Sequence, residues 1–230
     1  MENIIINKTL VRDVANALSE LKEIMVFVGG ATISLYTDDL AAHEIRPTSD
    51  IDMTIKLTHN YAEWAKINER LSELGFYPNP EGHAICSYKY KNIDVDIMAS
   101  EDGHMGQANR WYKIGFKNLQ TVSIDDEEIS ILTAPCFLAT KFEAFNDRGK
   151  DYRTSHDFED SIYVIDNRTT IVKEIELDDQ EVRDYLKLEL NKILDMTSRY
   201  EILSCHIHPL VLEERIPILE AKIIEIVNLN

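Results

Sequence analysis

Asp50 and Asp52, inside the run Arg46-Pro47-Thr48-Ser49-Asp50-Ile51-Asp52-Met53-Thr54-Ile55, are the side chains best placed to do chemistry. The run reads as a strand, and positions i and i+2 of a strand share a face, so the two carboxylates stand side by side with Cα atoms roughly 6 to 7 Å apart. Like charges on one strand face repel and resist burial unless a cation neutralises them. Mg²⁺ suits that task, because it takes a few carboxylates together with substrate phosphates, and two such ions roughly 3.5 to 4 Å apart serve phosphoryl transfer. Upstream, Val26-Phe27-Val28-Gly29-Gly30-Ala31-Thr32 reads as a buried strand, a glycine turn and the start of a helix. A turn without Cβ atoms lets backbone N–H groups approach a phosphate, and a helix beginning near Ala31 would aim its positive end at the same place. A second pair, Asp94 and Asp96 in Asn92-Ile93-Asp94-Val95-Asp96-Ile97-Met98, again shares a strand face.

Hydrophobic-Gly-Gly followed by Asp-x-Asp on a strand resembles the DNA polymerase β-type nucleotidyltransferase superfamily. That superfamily adds a third carboxylate from a neighbouring strand. Asp96, between Val95 and Ile97, best resembles its hydrophobic-Asp-hydrophobic motif, with Asp94 the alternative. Gly30 and Asp50 are 20 positions apart, longer than the compact pattern, which predicts a longer helix before the aspartate strand. With Arg46-x-Thr48-x-Asp50-Ile51-Asp52, this spacing is similar to the AbiEii/AbiGii-type nucleotidyltransferases, the toxins of type IV toxin–antitoxin systems. Ala139-Thr140-Lys141-Phe142-Glu143-Ala144-Phe145-x-x-Arg148-Gly149 and Ser155-His156-Asp157-Phe158-Glu159-Asp160 extend the resemblance to about residue 160.

The resemblance implies an α+β fold: a nucleotidyltransferase-type mixed sheet with flanking helices over residues 1–130, then a helical domain over 131–230 that closes the nucleotide cleft. It implies Mg²⁺-dependent transfer of a nucleoside monophosphate from a nucleoside triphosphate, with two ions held by Asp50, Asp52 and Asp96 and Mn²⁺ able to substitute. Asp50, Asp52, Asp96, Lys141 and Asp157 would act in catalysis. Gly29, Gly30, Thr32, Arg46, Ser49, Lys141 and Asp160 would contact the nucleotide. The implied acceptor is tRNA or another RNA, and the implied partner an antitoxin protein. The bland readings are concrete. Lys141 would be an ordinary exposed helix residue, Asp157 and Asp160 would form salt bridges with Lys141 or Arg148, and Arg46, Arg148, Lys150 and Arg153, which could instead surround phosphates or an RNA acceptor as a basic patch, would be a solvated rim. Walker, Rossmann and kinase patterns are absent.

Composition narrows the classes. At 230 residues the chain can bury a sizeable core as one domain or two small ones. Its longest apolar runs, such as residues 131–139 with Pro135 inside, fall short of a membrane span, and the first residues lack the basic flank of a secretory signal, so a soluble cytoplasmic protein is expected. Cys86, Cys136 and Cys205 are too scattered for a disulfide framework, and Cys205-His206-Ile207-His208 reads as a helix end before Pro209 rather than a zinc site. With 41 acidic against 24 basic side chains, the net charge of −17 opposes non-specific binding to a polyanion. It favours the alternative of a small-molecule, antibiotic-type nucleotidyltransferase with a cationic acceptor. A non-catalytic nucleotide-binding partner protein is the third reading.

The elements that must position these residues follow from periodicity. An amphipathic helix over residues 8–21 packs on the sheet, and a connector helix with Trp64, Ile67, Leu71 and Leu74 on one face is capped by Thr58 or Asn60 and stopped by Gly75. Residues 84–90 and 93–98 flank Lys91-Asn92 as a hairpin delivering Asp94 and Asp96, residues 101–109 form a loop, and residues 111–117 read as an edge strand. Past Ile131 the period becomes helical: Pro135 suits a first turn, Asp178-x-x-Glu181 resembles a capping box, and a last helix covers residues 216–227.

Overall fold

The structure, a computed structural model, describes residues 2–55, 61–82, 86–103, 106–149 and 151–229. Two compact units divide the chain: Met1–Leu35 with Glu44–Thr133, and Tyr36–His43 with Ala134–Asn230.

The first unit is built on a seven-stranded mixed sheet of β1 (Met25–Val28), β2 (Asp50–Ile55), β3 (Phe76–Pro78), β4 (Ser87–Tyr90), β5 (Ile93–Ala99), β6 (Leu119–Ile124) and β7 (Glu127–Leu132). The strand order is β3-β4-β5-β2-β1-β7-β6, with β1/β7 and β2/β5 parallel and the other neighbours antiparallel. All four side chains of β1 are buried, as an uninterrupted apolar run at the centre of a two-sided sheet requires. β2 alternates: Ile51, Met53 and Ile55 are fully buried, while Asp50 and Asp52 are half-buried on the other face.

Helix α1 (Glu2–Leu18) buries Val11, Val14, Ala15 and Leu18 of the stripe the periodicity predicts, together with Asn7, which it does not. It starts one and a half turns before Lys8 because the Glu44 carboxylate accepts the backbone N–H groups of Glu2, Asn3 and Ile4, capping the helix from 40 or more residues away. Helix α2 (Tyr61–Glu73) buries Ile67 and Leu71 and ends before Gly75, which takes a positive φ of 89°. The predicted caps Thr58 and Asn60 lie outside the described residues, as do Ala84 and Ile85 at the predicted start of the hairpin. β4 and β5 form that hairpin around Lys91.

Three expectations are corrected here. Residues 111–117 are not an edge strand: α3 (Trp111–Gly115) occupies them. Trp111, Tyr112 and Gly115 are all buried, and the spacing i, i+1, i+4 is a helix face that a strand cannot present on one side. The turn starts at Asn109, which accepts the Trp111 N–H on its side chain and the Tyr112 N–H on its carbonyl. The sheet edge is instead the β6/β7 hairpin, turned at Asp125 and Asp126, and the apolar run from Ile131 spans the end of β7 and the start of a helix. Finally, no long helix fills the interval between Gly30 and Asp50. A six-residue 3₁₀ helix, Gly30–Leu35, is followed by non-helical chain to Asp50, and Tyr36–His43 packs with the second unit.

That second unit is helical: α4 (Ala134–Arg148), α5 (His156–Asn167), α6 (Ile171–Leu177), α7 (Gln180–Leu194), α8 (Arg199–Ser204) and α9 (Leu212–Val227). Pro135 sits in the first turn of α4, where its missing N–H costs nothing. The α7 cap is Asp179, which accepts the Glu181 N–H, one residue later than the predicted box. Tyr36–His43 is strapped down on this unit. Asp38 and Asp39 donate their N–H groups to the Asn167 carbonyl, Arg168 donates to the Tyr36 carbonyl, and the Tyr163 hydroxyl donates to the His43 carbonyl. Arg215 bridges Asp39 and Asp166, and its guanidinium also reaches Asn167. His206 meets the Tyr152 carbonyl through Nε2, and His208 stacks on His43 with ring centroids 4.7 Å apart. Among the described residues no helix is long and apolar enough to cross a membrane.

Candidate functional site

The parallel pairing of β2 and β5 sets Asp50 opposite Asp94 and Asp52 opposite Asp96. In-register residues of neighbouring strands point the same way, so four carboxylates form two rows on one sheet face. Spacing is roughly 4.8 Å across strands and roughly 6.6 Å along them. Each is held from its own side. Thr48 Oγ1 donates to Asp50 at 2.5 Å, and the Ser87 hydroxyl donates to Asp96 from the adjacent β4. Asn79 Nδ2 donates to Asp94 at 2.9 Å, and the Lys89 ammonium lies 3.3 Å from the same carboxylate. The field of the cluster reaches Cys86, whose thiol pKa is pushed up by burial and then by the charges of Asp96 and Asp52.

Gly29 closes this site from β1. It has φ 73°, and a Cβ built on it would lie 2.0 Å from Asp52 Oδ2, so both backbone shape and space demand glycine. A Cβ on Gly30 would lie 2.7 Å from Arg46 Nη2, which places the guanidinium directly over that peptide. Thr32 is fully buried and its hydroxyl donates to the Gly29 carbonyl at 2.9 Å, bracing the turn. Ser49 is exposed, at the entry to β2. The expected dipole of a helix beginning at Ala31 shrinks with the helix: six 3₁₀ residues supply little more than two open N–H turns. Sequence reasoning missed the supports. Asn7, fully buried on α1, donates to the Arg46 carbonyl and accepts the Thr48 N–H, each at 3.4 Å, straddling Pro47. Thr48 lies in a motif already quoted, but Asn7 and Ser87 have no local signal, because their roles come from helix packing and strand register.

Oxygen donors on adjacent strands fit a hard divalent cation, and the space that a Gly29 side chain would fill lies directly against one of those oxygens. Among the described residues no group of three or more His, Cys, Asp or Glu side chains is arranged to hold a metal ion by itself. An ion on these carboxylates would need further ligands from substrate phosphates and water.

A second cluster lies wholly in the helical unit. Lys141 Nζ is 2.6 Å from Asp160 and 3.4 Å from Asp157, and Arg148 grips Asp157 through Nε at 2.8 Å and Nη2 at 2.9 Å. Lys141 is only 7% exposed, which rules out an ordinary solvated helix lysine. Burial pushes the Asp157 carboxyl upward, but the Arg148 hydrogen bonds and the Lys141 charge outweigh it and hold that carboxyl below the usual range. A cleft of about 400 Å³ opens beside this network along Arg148, Gly149 and Ser155. Arg153 is occupied by Asp151 and Glu201, and Lys150 lies outside the described residues. Gly29, Gly30, Thr32, Arg46, Ser49, Asp50, Asp52 and Asp96 thus belong to the sheet unit, and Lys141, Asp157 and Asp160 to the helical one.

No family model and no curated protein matches the chain. Among solved structures it is similar to the crystal structure of an antigenic nucleotidyltransferase-like protein from Paracoccidioides brasiliensis, at TM-score 0.52 and 19% identity, over 92% of this chain and 97% of that one. A putative nucleotidyltransferase from H. pylori aligns at TM-score 0.46 and 12% identity, over 99% of this chain and 92% of that one. The first likeness is one of fold: a mixed α/β, nucleotidyltransferase-like architecture.

Proposed function

We propose, from that nucleotidyltransferase-like fold, that the chain transfers a nucleoside monophosphate from a nucleoside triphosphate to an acceptor hydroxyl with Mg²⁺. The observation that carries the reading is the in-register row of Asp50 and Asp52 beside Asp94 and Asp96, with Gly29 turned against Asp52 where no side chain fits. Four carboxylates on one face are hard to explain by stability alone, since cross-strand like charges are unfavourable. Asp50 and Asp52 would hold the ion or ions, with Mn²⁺ able to replace Mg²⁺. Asp96 would complete the set, because it faces Asp52 in register while Asp94 is taken up by Lys89 and Asn79. Bound there, the cation would neutralise the triphosphate and lower the pKa of the acceptor hydroxyl.

In the reaction the acceptor oxygen forms a bond to the α-phosphorus as the bond from that phosphorus to the bridging oxygen breaks. Pyrophosphate leaves with the electron pair, and the hydroxyl proton passes by way of Asp96 to water. Gly29 and Gly30 leave room for Asp52 and Arg46 to lie against the backbone, Arg46 would supply positive charge to the triphosphate there, and Asn7 and Thr48 fix the segment that carries Asp50. Lys141, with Asp157 and Asp160, is a second candidate for phosphate handling. For the acceptor we favour tRNA or another RNA, in a toxin-like role with an antitoxin partner, which rests on the motif resemblance. The charge of −17 supports a small cationic acceptor as the second reading.

Incubation with each α-phosphate-labelled triphosphate, Mg²⁺, and either total RNA or a panel of aminoglycoside-type amines decides between them. Label should enter one acceptor class with release of pyrophosphate, and Asp52→Asn should lower the rate roughly 100-fold or more. An unlabelled acceptor with every triphosphate, or an active Asp52→Asn, overturns the proposal.

A further inference from the structure

We propose that the outer edge of β6 is a docking strand for an extended, basic segment of a partner protein. The two edges of the sheet are treated differently. β3 is three residues long and ends in Pro78, the short, proline-blunted form that discourages further pairing. β6 is six residues, Leu-Gln-Thr-Val-Ser-Ile, paired with β7 without a break from Leu119↔Leu132 to Ile124↔Glu127. It contains no proline, lysine or bulge. Among the described residues no element other than β7 makes an extended contact with it.

What lies on its face tells which partner would fit. Thr121 and Ser123 pair in register with Ser130 and Glu128, so these four side chains share one face, and Thr121, Ser123 and Glu128 are exposed on it. That face forms a groove of about 640 Å³ bordered by Glu23, Asp126 and Glu128, with Asp125 at its end already paired to Arg12. The one lysine in its lining, Lys22, is already paired with Glu127. A strand added along β6 would present every second side chain to this groove, roughly 6.6 Å apart, and Lys or Arg at those positions would meet the carboxylates while small hydroxyls leave room for their stems. A second copy of this chain is the poorer occupant, because it would bring an equally acidic groove against this one. Docking at β6 would be independent of nucleotidyl transfer.

The test uses the full chain and a short labelled peptide of alternating Lys and Val. Binding should shift the backbone amide signals of residues 119–124. The same peptide N-methylated on alternate amides keeps its charge but cannot pair, and should bind roughly tenfold more weakly or worse. Charge reversal by Asp126→Lys with Glu128→Lys, both exposed positions, should weaken binding to a similar degree, and an alternating Glu/Val peptide should not bind. Equal binding of the N-methylated peptide, amide shifts confined to other strands, or self-association of the chain through β6 would each overturn the proposal.

Discussion

Lys141 is held by two carboxylates in a setting where charge is expensive to strand. Removing one member of a buried ion pair leaves the others uncompensated, so Lys141→Ala should destabilise the protein by roughly 3–5 kcal/mol, read from urea denaturation. Replacing Lys141 with Met and Asp160 with Leu removes charge from both sides, and by the same reasoning should lie within about 1–2 kcal/mol of the wild type. That double variant separates two roles. If Lys141 handles phosphates, the folded double variant loses triphosphate turnover or raises KM for the triphosphate; if the network only braces α4 against α5, turnover is unchanged. Asp50, Asp52 and the glycine turn could be read directly, because their chemistry follows from residue type and local spacing. Both readings of Lys141 were open in the sequence, and its burial, which no pattern of four or seven residues encodes, removes the solvated one. Ser87 and Asn7 stayed invisible for the same reason: their partners are nine and about forty residues away.

Among the elements, those with strong period were legible and those made by tertiary contact were not. α2, α4 and the β4/β5 hairpin appear in the sequence as stripes and alternations. The alternation of Thr121, Val122, Ser123 and Ile124 around Asp125-Asp126 was equally readable as a hairpin, but the charged turn and hydroxyl-rich strands weaken the apolar signal. The strap Tyr36–His43 is the element sequence could least reveal. A long interval before Asp50 suggested more helix, whereas its backbone groups are satisfied by Asn167, Arg168 and Tyr163. Arg215 is its main anchor, 2.6 Å from Asp39 and 3.0 Å from Asp166, with its side chain only 11% exposed. Arg215→Ala should therefore lower stability by roughly 3–5 kcal/mol. It should also speed hydrogen exchange at the Asp38 and Asp39 amides while α4 amides keep their protection. Unchanged exchange at those two amides would show that the carbonyl contacts alone hold the strap.

At the scale of the whole molecule, the charge of −17 is not relieved by the arginines that sequence suggested as a nucleic-acid rim. Arg148 is bound to Asp157, and Arg153 to Asp151 and Glu201. These two arginines of the rim already meet carboxylates, and each phosphate contact contributes a slope of about 0.7 to 0.9 to the dependence of log affinity on log salt. RNA binding measured by fluorescence anisotropy between low and physiological salt should thus show a slope no steeper than about 2. A steeper slope would reveal a basic face built from other residues. The strap carries one more consequence, for the order of events at the ribosome. Asp39 and Arg215 are 176 residues apart, and at about 5–20 residues per second the arginine emerges roughly 10–35 seconds after its partner. Through that interval β1 and β2 can pair and the chain joining them can meet α5, but its arginine clamp is missing. A nascent chain arrested before α9 should carry a finished sheet with a looser, more protease-sensitive loop, and α9 would be the helix that ties down the connection between β1 and β2.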